Sequence, residues 1–309
     1  MASKNLKLRD LFSESGKIFK AHSRHFHTLT LIFLFPLSFL FLFLLPLNFN
    51  HSFTKPSSTT NHQPFFHLLY SLFLSILSYS GVISITNSVF HFFYDQPVNL
   101  LSAINSISTS FLPLLATTVV SHVIFFFISL FYGLLLLLLI SGATLFSVTI
   151  PHSFPPYLIA FFVSLPLLLV LVHLQVKWTL VHVIVVVESC WGLEPLRRSA
   201  RLIKGMKRVA LSSFLFYGFF AGIIVGNYLL FTMSSTSNRG NGNWVTVVCK
   251  WGFTASQSCF LAQFMLSNIA VNTVLYIYCK ANHGELAEEF EKDSVSFLLD
   301  DGKLSNIAV

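Results

Sequence analysis

Six long runs of apolar residues alternate with short polar segments along the chain. They cover residues 28–49, 65–93, 111–140, 157–187, 209–233 and 257–279. Each meets or exceeds the ~20 apolar residues that a helix needs to cross the hydrocarbon core of a bilayer. A β-barrel would need ~10-residue alternating segments instead, and these are absent from the pattern. The first run is too long for the apolar core of a cleaved signal peptide, about 7–15 residues, and no small-residue cleavage site follows it. Pro36 and Pro46 lie inside it, as membrane helices tolerate. The pattern therefore predicts an all-α fold: a polytopic membrane helical bundle of about six transmembrane helices.

The polar segments divide the chain further. Residues 1–27 form a basic, amphipathic N-terminal segment, 28–279 the six-span domain, and 280–309 an acidic tail. Three segments precede the odd-numbered spans: Leu8 to Arg24, Val98 to Ser110, and Leu193 to Arg208. Each reads as a cytoplasmic amphipathic helix feeding a helical hairpin before spans 1, 3 and 5. Ser15, Ile18 and Lys20 in the first parallel Ser199, Leu202 and Lys204 in the third, which suggests three repeated units. A polar lead-in to any hydrophobic hairpin would look similar.

Composition agrees with the pattern. Of 309 residues, 54% are hydrophobic and 10% charged, against about 25% charged in a soluble domain. Between Arg24 and Trp178 the only formally charged side chains are Lys55, Asp95 and Lys177. The net charge of +7 does not point to nucleic acid, because the basic residues cluster beside apolar spans and no nucleic-acid fold signature is present. Lys and Arg set the expected orientation. They crowd the segment before span one, the segment between spans four and five, and the tail, while only Lys55, Arg239 and Lys250 fall in the alternate loops. By the positive-inside rule both termini are cytoplasmic; the sequence leaves the organelle open between an endomembrane and the plasma membrane.

The four cysteines, Cys190, Cys249, Cys259 and Cys279, form no CxxC pair or zinc spacing. Cys190 and Cys279 fall near cytoplasmic span ends, where palmitoylation is an alternative to a buried, inert role. Within span four, His173 and Lys177 lie one helical turn apart, and ionisable groups inside a membrane are functional suspects. Snorkelling of Lys177 to the interface is the simpler alternative to a polar path. His122 and His182 are expected to be buried, hydrogen-bonded histidines. Gly218, Gly222 and Gly226 form a doubled GxxxG in span five, expected to pack within the bundle or between two copies.

Residues 188–208 hold the most information. Pro195 suits the first turn of a helix and Glu194 its positive end. Arg197, Arg201, Lys204 and Arg208 follow 4, 3, 4 spacing beside an apolar face of Leu196, Ala200 and Ile203. With Arg198, this basic stripe is a candidate contact for anionic phospholipids or a protein partner, or else a solvated topology signal. The acidic segment Glu285 to Lys292 shares the expected cytoplasmic side and is expected to contact it.

The string Glu188…Gly192…Leu196-Arg-Arg-Ser199-Ala-Arg-Leu202-Ile-Lys204-Gly205 resembles a motif of multi-span membrane families. It is similar to the membrane domain attached to some bacterial glycerophosphodiester phosphodiesterases. It also resembles a family of plant multi-pass transmembrane proteins of unassigned biochemistry, with further likeness at Phe12 to Ser15, Pro36 to Phe39, Cys279 to Glu285 and Asp300 to Lys303. The resemblance implies a membrane-spanning helical bundle, and not phosphodiesterase activity, which belongs to a separate soluble domain in those bacterial proteins.

No clustered His, Asp or Glu marks a catalytic centre, and no catalytic residue, metal ligand or cofactor is assigned. By elimination, the expected function is non-enzymatic: organising lipid or a protein partner at the cytoplasmic membrane face. The alternatives are a transporter or channel using the polar face of span four, and a lipid-modifying membrane enzyme. The expected partners are the bilayer, anionic phospholipids among its lipids, and an unknown protein or a second copy of the chain.

Overall fold

A computed structural model describes residues 8–53, 63–94, 96, 98–145, 156–237 and 244–284. These residues are almost all helical, joined by short turns, and no strand occurs among them. In chain order the helices are α1 (Leu8–Ala21), α2 (Ser23–Leu29), α3 (Phe35–Phe53), α4 (Gln63–Phe93), α5 (Leu100–Leu145), α6 (Pro156–Lys177), α7 (Val181–Glu188), α8 (Glu194–Leu202), α9 (Lys207–Ser237) and α10 (Trp244–Asn282). Six stretches are long and apolar enough to cross a membrane: Ser23–Leu45, Leu68–Phe93, Leu100–Leu138, Ser164–Glu188, Lys207–Ser234 and Val247–Asn282.

Span one contains a π-helical turn, Thr30–Leu34, joining α2 to α3. Pro36 follows it, and a proline removes one backbone donor and crowds the carbonyl four residues back, so the turn widens there. Gly81 of α4 sits against this turn: a Cβ at Gly81 would lie 3.2 Å from both Leu34 Cδ2 and Phe33 Cβ. The missing side chain lets the two helices approach.

Span four departs from the single helix expected over 157–187. It breaks into α6 and α7 at the turn Trp178–Leu180. The Val181 N–H donates to the Trp178 carbonyl (3.1 Å), leaving the usual four-residue ladder, and the Thr179 hydroxyl donates back to the Gln175 carbonyl (3.1 Å). Such back-bonding bends helices.

The three lead-in segments differ. Leu8–Ala21 and Glu194–Leu202 are separate short helices. The middle one is not: from Leu100 it forms the first turns of α5, a continuous helix of 46 residues. Val98 to Ser110 carries no charge, Pro or Gly to stop the helix before the span, and the helix continues through Pro113 within it. The expected threefold repeat of lead-in helices is not present at this position.

α10 is the axis of the packing. Its residues Ala262, Leu266, Ala270, Val271, Val274, Leu275 and Tyr276 are buried in one cluster with Leu11 of α1, Leu34 and Leu37 of span one, Ile85 and Val89 of α4, and Ile184 of α7. Polar bonds join helices across this core. The Ser38 hydroxyl donates to the Ser258 carbonyl (2.9 Å), and the Tyr217 hydroxyl lies 2.6 Å from Ser267 Oγ. Inside a bilayer such bonds and close packing, rather than water exclusion, hold helices together.

Candidate functional site

One end of the bundle gathers α1, α8, the end of α4 and the end of α10. Phe12 of α1 packs on Phe216 and Tyr217 of α9, with centroids 5.0 and 5.9 Å apart. Cys279 Sγ lies 3.7 Å from Met206 Sδ, and a Cβ on Gly205 would lie 3.0 Å from Asn282 Nδ2. The segment 188–208 wraps this end.

The family-like residues of that segment are brought together as a polar clasp. The Glu188 carboxylate, at the end of α7, pairs with the Arg198 guanidinium of α8 and accepts from the Tyr276 hydroxyl of α10 at 2.6 Å. Both charges are largely buried, so their mutual neutralisation is what makes the burial tolerable. Ser189 then turns into the left-handed region (φ 53°) and ends α7. Gly192 adopts φ 79°, which a side chain would strain; its N–H donates to Thr117 Oγ1 of α5 at 3.0 Å. Leu196 is buried among Ile83, Leu114, Val181 and Val185. The Ser199 hydroxyl donates to the Lys177 carbonyl at 2.7 Å, which the break in span four has taken out of its helix ladder. Four elements are thus tied by one short segment.

Arg198 is therefore not part of the outward stripe with which it was grouped; it turns inward to Glu188. Arg197, Arg201, Lys204 and Arg208 are exposed, together with Lys207. Beside them Trp191 and Leu193 are exposed to 70% and 50%. Cys190 is half-buried in the same loop; burial pushes its thiol pKa up, and Glu194 and Glu188 add to this while Arg198 opposes it. A raised pKa leaves little thiolate. The acidic segment expected to meet the basic stripe, Glu285 to Lys292, lies outside the described residues.

Other expected sites fare differently. His173 is exposed, and Lys177 is half-buried with its carbonyl bonded to Ser199. His122 is exposed rather than buried, its Nδ1 2.8 Å from the Thr118 carbonyl. His182 lies deep in the bundle, among buried neighbours, with its accessible surface turned to a cavity. Gly218, Gly222 and Gly226 do not pack within the bundle: a Cβ at any of them would meet nothing within 4 Å among the described residues. The glycine that does bring two helices together is Gly81.

Sequence reasoning missed a cavity at the break in span four. It has a volume of about 220 Å³ and is lined by Thr86 of α4, Gln175 of α6, Thr179, His182 of α7, and Asn268 and Asn272 of α10, with Trp178 and Phe214. Asn268 and Asn272 are four apart in an apolar span, and that spacing was the available signal. The Asn272 amide donates to Asn268 Oδ1 at 3.3 Å. Thr86 Oγ1 and Asn272 Oδ1 are buried without a hydrogen-bond partner.

No curated protein and no solved structure matches the chain. One family does, over residues 48–299, a region that takes in five of the six spans and the whole clasp. The chain belongs to that family, described as Domain of unknown function (DUF8558).

Proposed function

We propose that this is a non-enzymatic integral membrane protein that gathers anionic phospholipid at its cytoplasmic face through α8 and the turn after it. The observation that carries the reading is the outward set of Arg197, Arg201, Lys204 and Arg208, with Trp191 and Leu193 exposed alongside. Basic side chains near a bilayer surface gain about 1 kcal/mol each from anionic headgroups. Exposed Trp and Leu beside them suit the headgroup boundary, where aromatic rings anchor. The clasp supports this role by fixing the stripe to spans two, three, four and six, so the charges are presented on a rigid mount.

The finer parts of the reading follow from the charge bias. Both termini are cytoplasmic, and α1 and α8 are the amphipathic helices of that face. The likeness of the 188–205 string to the membrane domain of some bacterial phosphodiesterases and to plant multi-pass proteins supports a shared bundle and carries no catalytic activity.

The test is lipid co-purification by native mass spectrometry. The wild-type chain is compared with a variant carrying Arg197→Glu, Arg201→Glu and Lys204→Glu. Retention of phosphatidylserine or phosphatidate by the wild type and its loss in the variant is expected. Equal retention by both rejects the lipid role and leaves the stripe as a topology signal or protein dock. A second reading, a transporter, is favoured by the broken span four, since broken helices line many transport sites; a flux unchanged by Lys177→Ala counts against a path through that residue.

A further inference from the structure

The cavity at the break in span four is built for a ligand of a different chemistry from the basic face. Its lining carries seven hydrogen-bonding side chains, counting the Trp178 indole, and no Asp, Glu, Lys or Arg. A charged ligand would lie there without a counter-charge, which is costly away from water. Thr86 is fully buried, yet its hydroxyl has no partner, and it lines the cavity. Asn272 Oδ1 is in the same position. Buried polar groups in hydrocarbon are ordinarily satisfied, so two orphans set in the wall of one cavity mark a place where a small shift of these side chains would let a ligand supply the bonds.

The surroundings say what shape that ligand has. An apolar groove of about 420 Å³ adjoins the cavity, lined by Phe125 and Phe126 of α5 and Leu171 and Val172 of α6. Gln175 and Phe214 line both spaces, so the groove and the cavity lie side by side with these two side chains between them. A polar chamber beside an apolar furrow fits one amphiphile: a head in the chamber, a tail in the furrow, passing between Gln175 and Phe214. The chamber has room for about seven waters at ~30 Å³ each, a small head of a few hydroxyl or amide groups.

We infer that this cavity and groove bind a single-tailed neutral lipid with an uncharged, hydroxyl- or amide-bearing head. The head bonds to Thr86, Asn272 and Gln175, and the tail lies against Phe125, Phe126 and Val172. This site is independent of the basic face proposed above and stands if that reading fails.

The experiment uses the full chain in phosphatidylcholine nanodiscs. The probes are monooleoylglycerol and methyl oleate, each carrying a photoreactive diazirine in the tail. Monooleoylglycerol is expected to label saturably, with crosslinks on residues 125–126 and 171–172. Thr86→Val combined with Asn272→Leu is expected to weaken its labelling about tenfold, the effect of two lost hydrogen bonds. Methyl oleate, which has the tail without the hydroxyls, should label weakly and equally in both proteins. Thr86→Val alone keeps the side-chain shape and removes an orphan hydroxyl, so the unliganded protein should be no less heat-resistant while binding less. Labelling that does not saturate, that maps elsewhere, that is unchanged in the double variant, or that is matched by methyl oleate overturns the inference.

Discussion

The third and sixth spans invite comparison, because both are long apolar helices and the molecule treats them in opposite ways. Span three has a mean hydropathy of 2.3 in its membrane window and none of that window is buried by the rest of the chain. Span six has 1.5, and 56% of its window is buried. The less apolar helix is the inner one. In water the order would be the reverse. In a bilayer lipid covers apolar side chains as well as protein does, so a helix is drawn inward by what lipid cannot supply: hydrogen bonds and close packing. α10 brings Ser267 and Tyr276 to such bonds, with Tyr217 and Glu188 on other helices, whereas α5 offers Phe126, Phe127, Leu130, Phe131 and Leu134 to the outside.

Paired truncations on the two helices break the comparison most directly if it is wrong. Tyr276 is fully buried and Phe131 is 71% exposed. Tyr276→Ala should cost about 4 kcal/mol, through the void it leaves and the bond it removes from Glu188. Phe131→Ala should cost under about 0.5 kcal/mol. Reversible unfolding in mixed micelles measures both, and similar losses would show that α5 has an inner face. Next comes the clasp. Glu188→Ala leaves Arg198 largely buried without its counter-charge and should cost about 3 kcal/mol, with Glu188→Gln intermediate.

The glycines sharpen the same contrast. Gly81→Leu pushes a side chain into the π-helical turn of span one and should cost about 2 kcal/mol in the same unfolding measurement. Gly222→Leu faces open space and should be near neutral in a single chain. If it instead abolishes a crosslinked dimer, the glycine stripe is an interface between copies. The smallest effect concerns Cys190: its raised pKa predicts slow maleimide labelling near pH 7, rising at a higher pH than for a free thiol.

The spans were legible because length and hydropathy alone specify a membrane helix. The break at Trp178–Leu180 was not: no proline or glycine marks it, and the bonds that stabilise it come from Thr179 beside it and Ser199, which is remote along the chain. The 188–208 segment stood out by its charges, and the helical spacing sets Arg198 off the stripe of Arg197, but it does not name the inward partner; Glu188, on another helix, supplies it. The GxxxG spacing left its partner open, because small residues permit close approach without supplying a neighbour. Thr86, Gln175, Asn268 and Asn272 lie on three helices, and nothing in their local sequence reveals that they meet.

The bond from Ser199 to the carbonyl of Lys177 has one more consequence. A backbone acceptor is the same whatever side chain its residue carries. Position 177 can therefore drift among residues that suit the bilayer without disturbing the joint, while position 199 must keep a hydroxyl. Saturation mutagenesis should record this asymmetry as broad tolerance at 177 beside a choice at 199 confined to Ser and Thr.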